Sequence, residues 1–99
     1  MAVLSTKQIQ FLKAKAHKLK PVVMIGSHGL TEGVLAEIVT SITHHELIKV
    51  KITGADKATK EAICHTICAH INCSLVQIIG NTGIFYLAGE NRKIELPKV

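Results

Sequence analysis

The residues best placed to do chemistry are Gly26-Ser27-His28-Gly29, and the chemistry is contact with an anion. Glycine has no Cβ to collide with a ligand and adopts positive φ readily, so a Gly-x-x-Gly turn lets backbone approach a phosphate closely. An apolar run, residues 22–25, precedes the turn and reads as a buried strand. Thr31 follows as a natural N-cap, and the leading N–H groups of the helix behind it could receive phosphate oxygens. Lys7, Lys13, Lys15, Lys18 and Lys20 all come before the first acid, Glu32. A glycine turn beside such a cluster suits a sugar–phosphate backbone. The better-known phosphate loops are excluded. A dinucleotide fingerprint needs glycine where His28 stands, and a Walker loop needs Lys-Ser/Thr after its last glycine.

The other reactive residue types point elsewhere. Cys64, Cys68 and Cys73, with His65 and His70, have metal-ligand chemistry, but zinc sites bring ligand pairs together from separate elements. Cys64 and Cys68 fall beside the expected buried stripe of a helix, the cysteines are expected to act as small buried hydrophobes, and no disulfide is expected. His44-His45-Glu46 closes a helix, where the macrodipole favours imidazolium. No nucleophile stands beside an evident base and no paired carboxylates occur, so catalytic residues, metal and cofactor are all expected to be none. The aromatics are Phe11, Phe85 and Tyr86 alone, which speaks against base stacking as the mode of reading RNA. Phe11 either covers the core edge or offers one stacking surface.

These residues need a scaffold. Ser5-x-x-Gln8 has the form of a capping box opening a first helix, with Ile9, Leu12, Ala16 and Leu19 on its apolar face. Lys7, Lys15 and Lys18 gather opposite, Lys13 and Lys20 flank the stripe, and Pro21 ends the helix. Residues 22–25 form strand one. Val34, Leu35, Ile38, Val39 and Ile42 carry the apolar face of helix two. Residues 47–53 alternate apolar and polar, which puts Lys49 and Lys51 on a wet strand face. Asp56 caps helix three, whose expected stripe is Ala58, Ala62, Ile63, Ile67 and Ile71. Residues 74–79 and 84–88 read as strands joined by Gly80-Asn81-Thr82-Gly83, and the tail from Glu90 is expected to lie loosely over the surface. The order α-β-α-β-α-β-β requires crossovers and a final hairpin, hence an α/β sandwich with a mixed four-stranded sheet.

In combination these stretches are similar to the CRM domain, named for chloroplast RNA splicing and ribosome maturation, in its small stand-alone bacterial YhbY-like form. The match is carried by LKAKAHKLKPVV from Leu12, IGSHGLTEGV from Ile25, HELIKVK from His45, LVQIIG from Leu75 and the tail KIELP from Lys93. The resemblance implies a fold like the C-terminal domain of translation initiation factor three. It also implies RNA binding through the glycine turn and adjoining basic surface, on precursors of the large ribosomal subunit. Carried onto this chain, the RNA-binding residues are Gly26, Ser27, His28 and Gly29, with Lys13, Lys18, Lys20, Lys49 and Lys51 around them. Ser27 and His28 stand where members often carry Lys or Asn, so the lysines carry more of the attraction, and protonation of His28 would strengthen binding. Tyr86 is followed by Leu87-Ala88 where members often have arginine, so no contact is assigned there.

Ninety-nine residues, 47% hydrophobic and 19% charged, make one globular domain, residues 1–99, with net charge +5. No apolar run approaches the roughly 20 residues of a membrane span and no signal-peptide core opens the chain, so a cytoplasmic protein is expected. The reading is a non-catalytic, monomeric RNA-binding protein with no membrane, DNA or cofactor partner. Its rivals are a small phosphate- or nucleotide-handling enzyme and a protein–protein interaction module.

Overall fold

Ser5 opens the first helix as the capping box requires: its Oγ accepts from the Gln8 N–H at 3.2 Å, and Gln8 Oε1 accepts from the Ser5 N–H at 3.0 Å. In the computed structural model, which describes residues 4–89 and 93–98, seven elements follow in the expected order. They are α1 (Thr6–Ala16), β1 (Val23–Ile25), α2 (Glu32–His45), β2 (Leu47–Ile52), α3 (Lys57–Ile71), β3 (Ser74–Ile79) and β4 (Thr82–Tyr86). Thr31 and Asp56 cap α2 and α3, accepting from the N–H groups of Val34 and Thr59. The strands form one mixed sheet in the order β1-β2-β4-β3, with β1 parallel to β2 and the other pairs antiparallel.

The strand alternation divides the core in two. Val23, Ile25, Ile48, Val50, Ile52 and Phe85 face α2 and α3, where they meet Ile38, Ile42, Cys64 and Ile67. Leu47, Val76, Ile84 and Tyr86 face the other way and meet Leu12 and Ala16 of α1. The domain is therefore a sheet with two helices on one face and one on the other. That one helix is too short to cover its face.

Several boundaries differ from the pattern reading, each for a physical reason. α1 stops at Ala16 rather than at Pro21: the Leu19 N–H folds back onto the Ala16 carbonyl at 2.9 Å, and Leu19 is exposed. Beyond Ala16 the chain leaves the helix through this tighter turn and runs on towards β1. β1 is apolar but is an edge strand, with Val22 and Met24 exposed, because it pairs only with β2. The buried stripe of α3 is Cys64, Ile67 and Cys68; Ala58 and Ala62 face solvent, and Ile63 and Ile71 are half-buried. The cysteines thus occupy the centre of the stripe instead of its flank.

β4 begins at Thr82, so Gly80 and Asn81 alone make the hairpin turn and Gly83 lies within the strand. A Cβ on Gly83 would stand 2.9 Å from the Phe85 ring and 3.0 Å from Cys64 Sγ, which explains a glycine there. The described part of the tail is docked, not loose. Lys93 and Ile94 donate their N–H groups to Glu46 Oε1, Gln8 Nε2 donates to the Pro97 carbonyl at 3.1 Å, and Ile94 and Leu96 pack against the α1-side core. Residues 90–92 and 99, which the tail reading also covered, lie outside the described residues.

Candidate nucleic-acid interface

Ile25 is fully buried, and the chain leaves the core at the next residue. Thr53 pins that exit point: its N–H and its Oγ1 both donate to the Ile25 carbonyl, at 2.9 and 3.2 Å. The chain then reverses in a tight turn closed by Gly29 N–H donating to the Gly26 carbonyl at 3.0 Å. Ser27 and His28 form its exposed tip, and Leu30 re-enters against the core. Gly29 has φ +71, a conformation that side chains with a Cβ rarely adopt. Gly26 is different. It has no positive φ, and a Cβ there would meet nothing within 4 Å, so folding does not demand glycine at that position.

Two residues, Leu30 and Thr31, separate the turn from α2, so the turn does not itself open the helix. Of the first-turn N–H groups, that of Val34 is taken by Thr31 Oγ1, while Glu32 and Gly33 are exposed. Glu32 places a negative charge at the positive end of α2, which favours the helix and opposes an anion at the same spot.

The lysines fall into two groups. Lys49 and Lys51 project from β2 onto the α1 side of the sheet, at the end α1 leaves uncovered. There the pairing registers align Met24, Lys51, Thr82 and Ile79 in one row across all four strands. Met24 and Ile79, at the ends of that row, are 61% and 55% exposed. The next row places Lys49 beside Ile84 and Gln77, and Lys13 of α1 and its C-cap His17 border with it an open cavity of about 350 Å³. Because Met24 is two residues before Gly26, this open face adjoins the glycine turn directly.

Lys18 and Lys20 do not line that cavity. Both are exposed in the segment after α1, and Lys20 joins Lys15 and His45 at the rim of a separate groove of about 420 Å³ over Leu19, Val22 and Ile94. Phe11 is half-buried against the α1-side core, with Lys15 Nζ 5.7 Å from its ring centroid. Phe85 and Tyr86 are buried. No described aromatic is therefore presented as an open stacking surface.

Sequence reasoning missed Thr53, Met24 and His17. Thr53 carried a signal, as a hydrogen-bonding residue at the end of a strand. Met24 and His17 acquire their places only from the edge position of β1 and the early end of α1. His44 and His45 sit exposed in the last turn of α2, their rings edge-to-face at 5.1 Å. Among the described residues no group of three or more His, Cys, Asp or Glu side chains is arranged to hold a metal.

The CRS1/YhbY (CRM) domain model matches residues 4–86, nearly the whole described chain. The chain belongs to the CRM domain family. An RNA-binding protein of Haemophilus influenzae is 54% identical over 98 residues, covering 99% of each chain. The Bacillus subtilis protein YqeI, named as a probable RNA-binding protein, is 34% identical over 96 residues, covering 96% of this chain and all of its own. The solution structure of a hypothetical protein from Staphylococcus aureus superimposes with a TM-score of 0.84 at 32% identity, over 96% of this chain and all of the other. The mixed α/β architecture of this CRM domain is thus shared with a solved relative. No described helix is long and apolar enough to cross a membrane.

Proposed function

We propose that this CRM domain is a non-catalytic RNA-binding protein that grips the sugar–phosphate backbone with the turn Gly26-Ser27-His28-Gly29 and the open sheet face beside it. The observation that carries this reading is the adjacency of an exposed glycine turn and the Lys51 row on a part of the sheet that no helix covers. Gly26, which folding does not require to be glycine, lets a phosphate or ribose come against the backbone. Lys51, Lys49 and Lys13 supply the attraction, and Lys18 and Lys20 extend it around the end of α1. With no aromatic open for stacking, backbone and shape are recognised in preference to bases. The names of the relatives support RNA as the partner. The family resemblance supports precursors of the large ribosomal subunit as the particle on which it acts.

The test is a titration of a structured ribosomal RNA fragment over a salt series with four proteins: wild type, Gly26→Asp, Lys51→Glu and Lys18→Glu/Lys20→Glu. Each lost phosphate contact lowers the slope of log affinity against log salt by roughly one. Gly26→Asp and Lys51→Glu are expected to keep the wild-type melting temperature and to weaken binding about tenfold or more. The double variant is expected to weaken it less. Wild-type affinity in folded Gly26→Asp and Lys51→Glu would overturn the proposed site.

A further inference from the structure

α3 ends in a left-handed cap at Asn72 (φ 64°, ψ 40°), whose N–H donates to the Cys68 carbonyl at 2.8 Å. A cap of this kind folds the chain back so that the residue after it lies against the residue four before it, and helices commonly bury an apolar contact there. In this chain both positions are cysteine. Cys68 Sγ and Cys73 Sγ are 3.9 Å apart, Cys73 at 1% and Cys68 at 6% exposure. Cys64, one turn earlier, sits in a different environment: it is fully buried, walled by Gly83, and its thiol is pushed up to about 11 chiefly by burial.

We propose that Cys68 and Cys73 are a peroxide-responsive thiol pair that two-electron oxidation joins into an intramolecular disulfide, leaving Cys64 reduced. The Cys73 S–H donates toward the Cys68 sulfur, which holds the Cys68 thiol below its ordinary value and Cys73 well above. Cys68, the more exposed of the two, is therefore the attacking sulfur. Its thiolate displaces hydroxide from hydrogen peroxide, breaking the O–O bond and forming the Cys68 sulfenic acid. The hydroxide takes up a proton to become water. Cys73 then attacks the sulfenic sulfur, the S–O bond breaks, and the hydroxyl leaves as a second water with the Cys73 proton. Two thiols lose two hydrogens in all, and one peroxide becomes two waters. The sulfurs must close from 3.9 Å to about 2.05 Å as the bond forms. Cys73 precedes the end of β3 opposite Ile79, so the reaction takes place away from the open sheet face.

The experiment is exposure of the native protein to hydrogen peroxide, followed by denaturing alkylation and intact-mass measurement. All three cysteines lie between Lys60 and Arg92, so a tryptic digest leaves them in one peptide and cysteine variants must assign the bond. Oxidised wild type is expected to carry one alkylatable thiol instead of three, and Cys64→Ser none. Cys68→Ser and Cys73→Ser are each expected to form no intramolecular disulfide, and dithiothreitol is expected to restore all three thiols in wild type. Three free thiols in oxidised wild type, a bond through Cys64, or sulfinic acid in place of the disulfide would each overturn the proposal. The wild-type and Cys64→Ser results decide it even where a serine at position 68 or 73 fails to fold.

Discussion

Replacing Glu46 by alanine tests how the described tail is tied to the corner between α2 and β2. Glu46 is the single residue between α2 and β2, and at 2% exposure it is the buried charged side chain of the described chain. Among the described residues its carboxylate accepts three backbone N–H groups from the other end of the sequence: Gly89 at 2.8 Å, Lys93 at 2.9 Å and Ile94 at 3.0 Å. A hydrogen bond to a charged group contributes about 1.5–3 kcal/mol, so three intact bonds set a ceiling of roughly 4–9 kcal/mol. The loss is smaller than the ceiling because Lys93 is exposed and Gly89 and Ile94 only half-buried, so the freed donors can reach water. One to two bonds' worth, about 2–4 kcal/mol, is the expected cost of Glu46→Ala. For a domain of this size that is a fall of roughly 10–25 °C in melting temperature.

A second variant separates the side chain from the backbone. Glu46 has φ +66 and ψ −40, a conformation held by its backbone bonds, its N–H donating to the Ile42 carbonyl and its carbonyl accepting from the Leu87 N–H, both at 2.8 Å. Glu46→Gly loses the same bonds but relieves that strain, and is expected to be about 1 kcal/mol more stable than Glu46→Ala. Denaturant melts give both differences, and amide exchange at Gly89, Lys93 and Ile94 reports whether the tail has left. A loss below about 1 kcal/mol in Glu46→Ala, or equal stability of the Ala and Gly variants, would refute the reasoning.

Other changes follow from single contacts. Gly83→Ala forces a methyl against the Phe85 ring and Cys64 Sγ, and is expected to cost about 1–3 kcal/mol in a denaturant melt. The Asp56 carboxylate lies below its ordinary 3.8, first because of its hydrogen bond with Thr59. A depressed folded value gives stability that is present above the unfolded value and lost as pH falls through the folded one. Asp56→Asn, which still caps α3, should therefore flatten the fall in stability below about pH 4. Glu32→Gln removes the negative charge at the start of α2, so it should tighten RNA binding at low salt and have little effect at high salt.

What was legible in the sequence was local. Ser5, Thr31 and Asp56 announce their helices because a cap is a bond between residues three apart. β2 was legible because alternation over residues 47–53 decides which face each side chain takes, and Lys49 and Lys51 came with it. What was hidden depends on partners far along the chain. Residues 22–25 read as a buried strand, since apolar composition does not show that β1 has a neighbour on one side only. The α3 pattern shows Ile67 as core but not Cys64, whose central place comes from Gly83 and Phe85 some twenty residues later. Glu46 gave no signal of its role, its three donors being more than forty residues away. Lys13, Lys18 and Lys20 stand out by charge, and charge does not show that Lys13 lines the same cavity as Lys49 while Lys20 lines a separate groove.

The strand order has a consequence for how the sheet meets other strands. Its two rims are β1 and β3. β1 spans only three residues, with Pro21 shortly before it, which lacks an N–H, and the Gly26 turn immediately after. β3 is longer, but the shift in pairing between Leu75 and Gln77 places a bulge at Val76 midway along it. A strand approaching either rim would find too few aligned donors and acceptors to register against, so both edges resist the growth by strand addition that leads to aggregation.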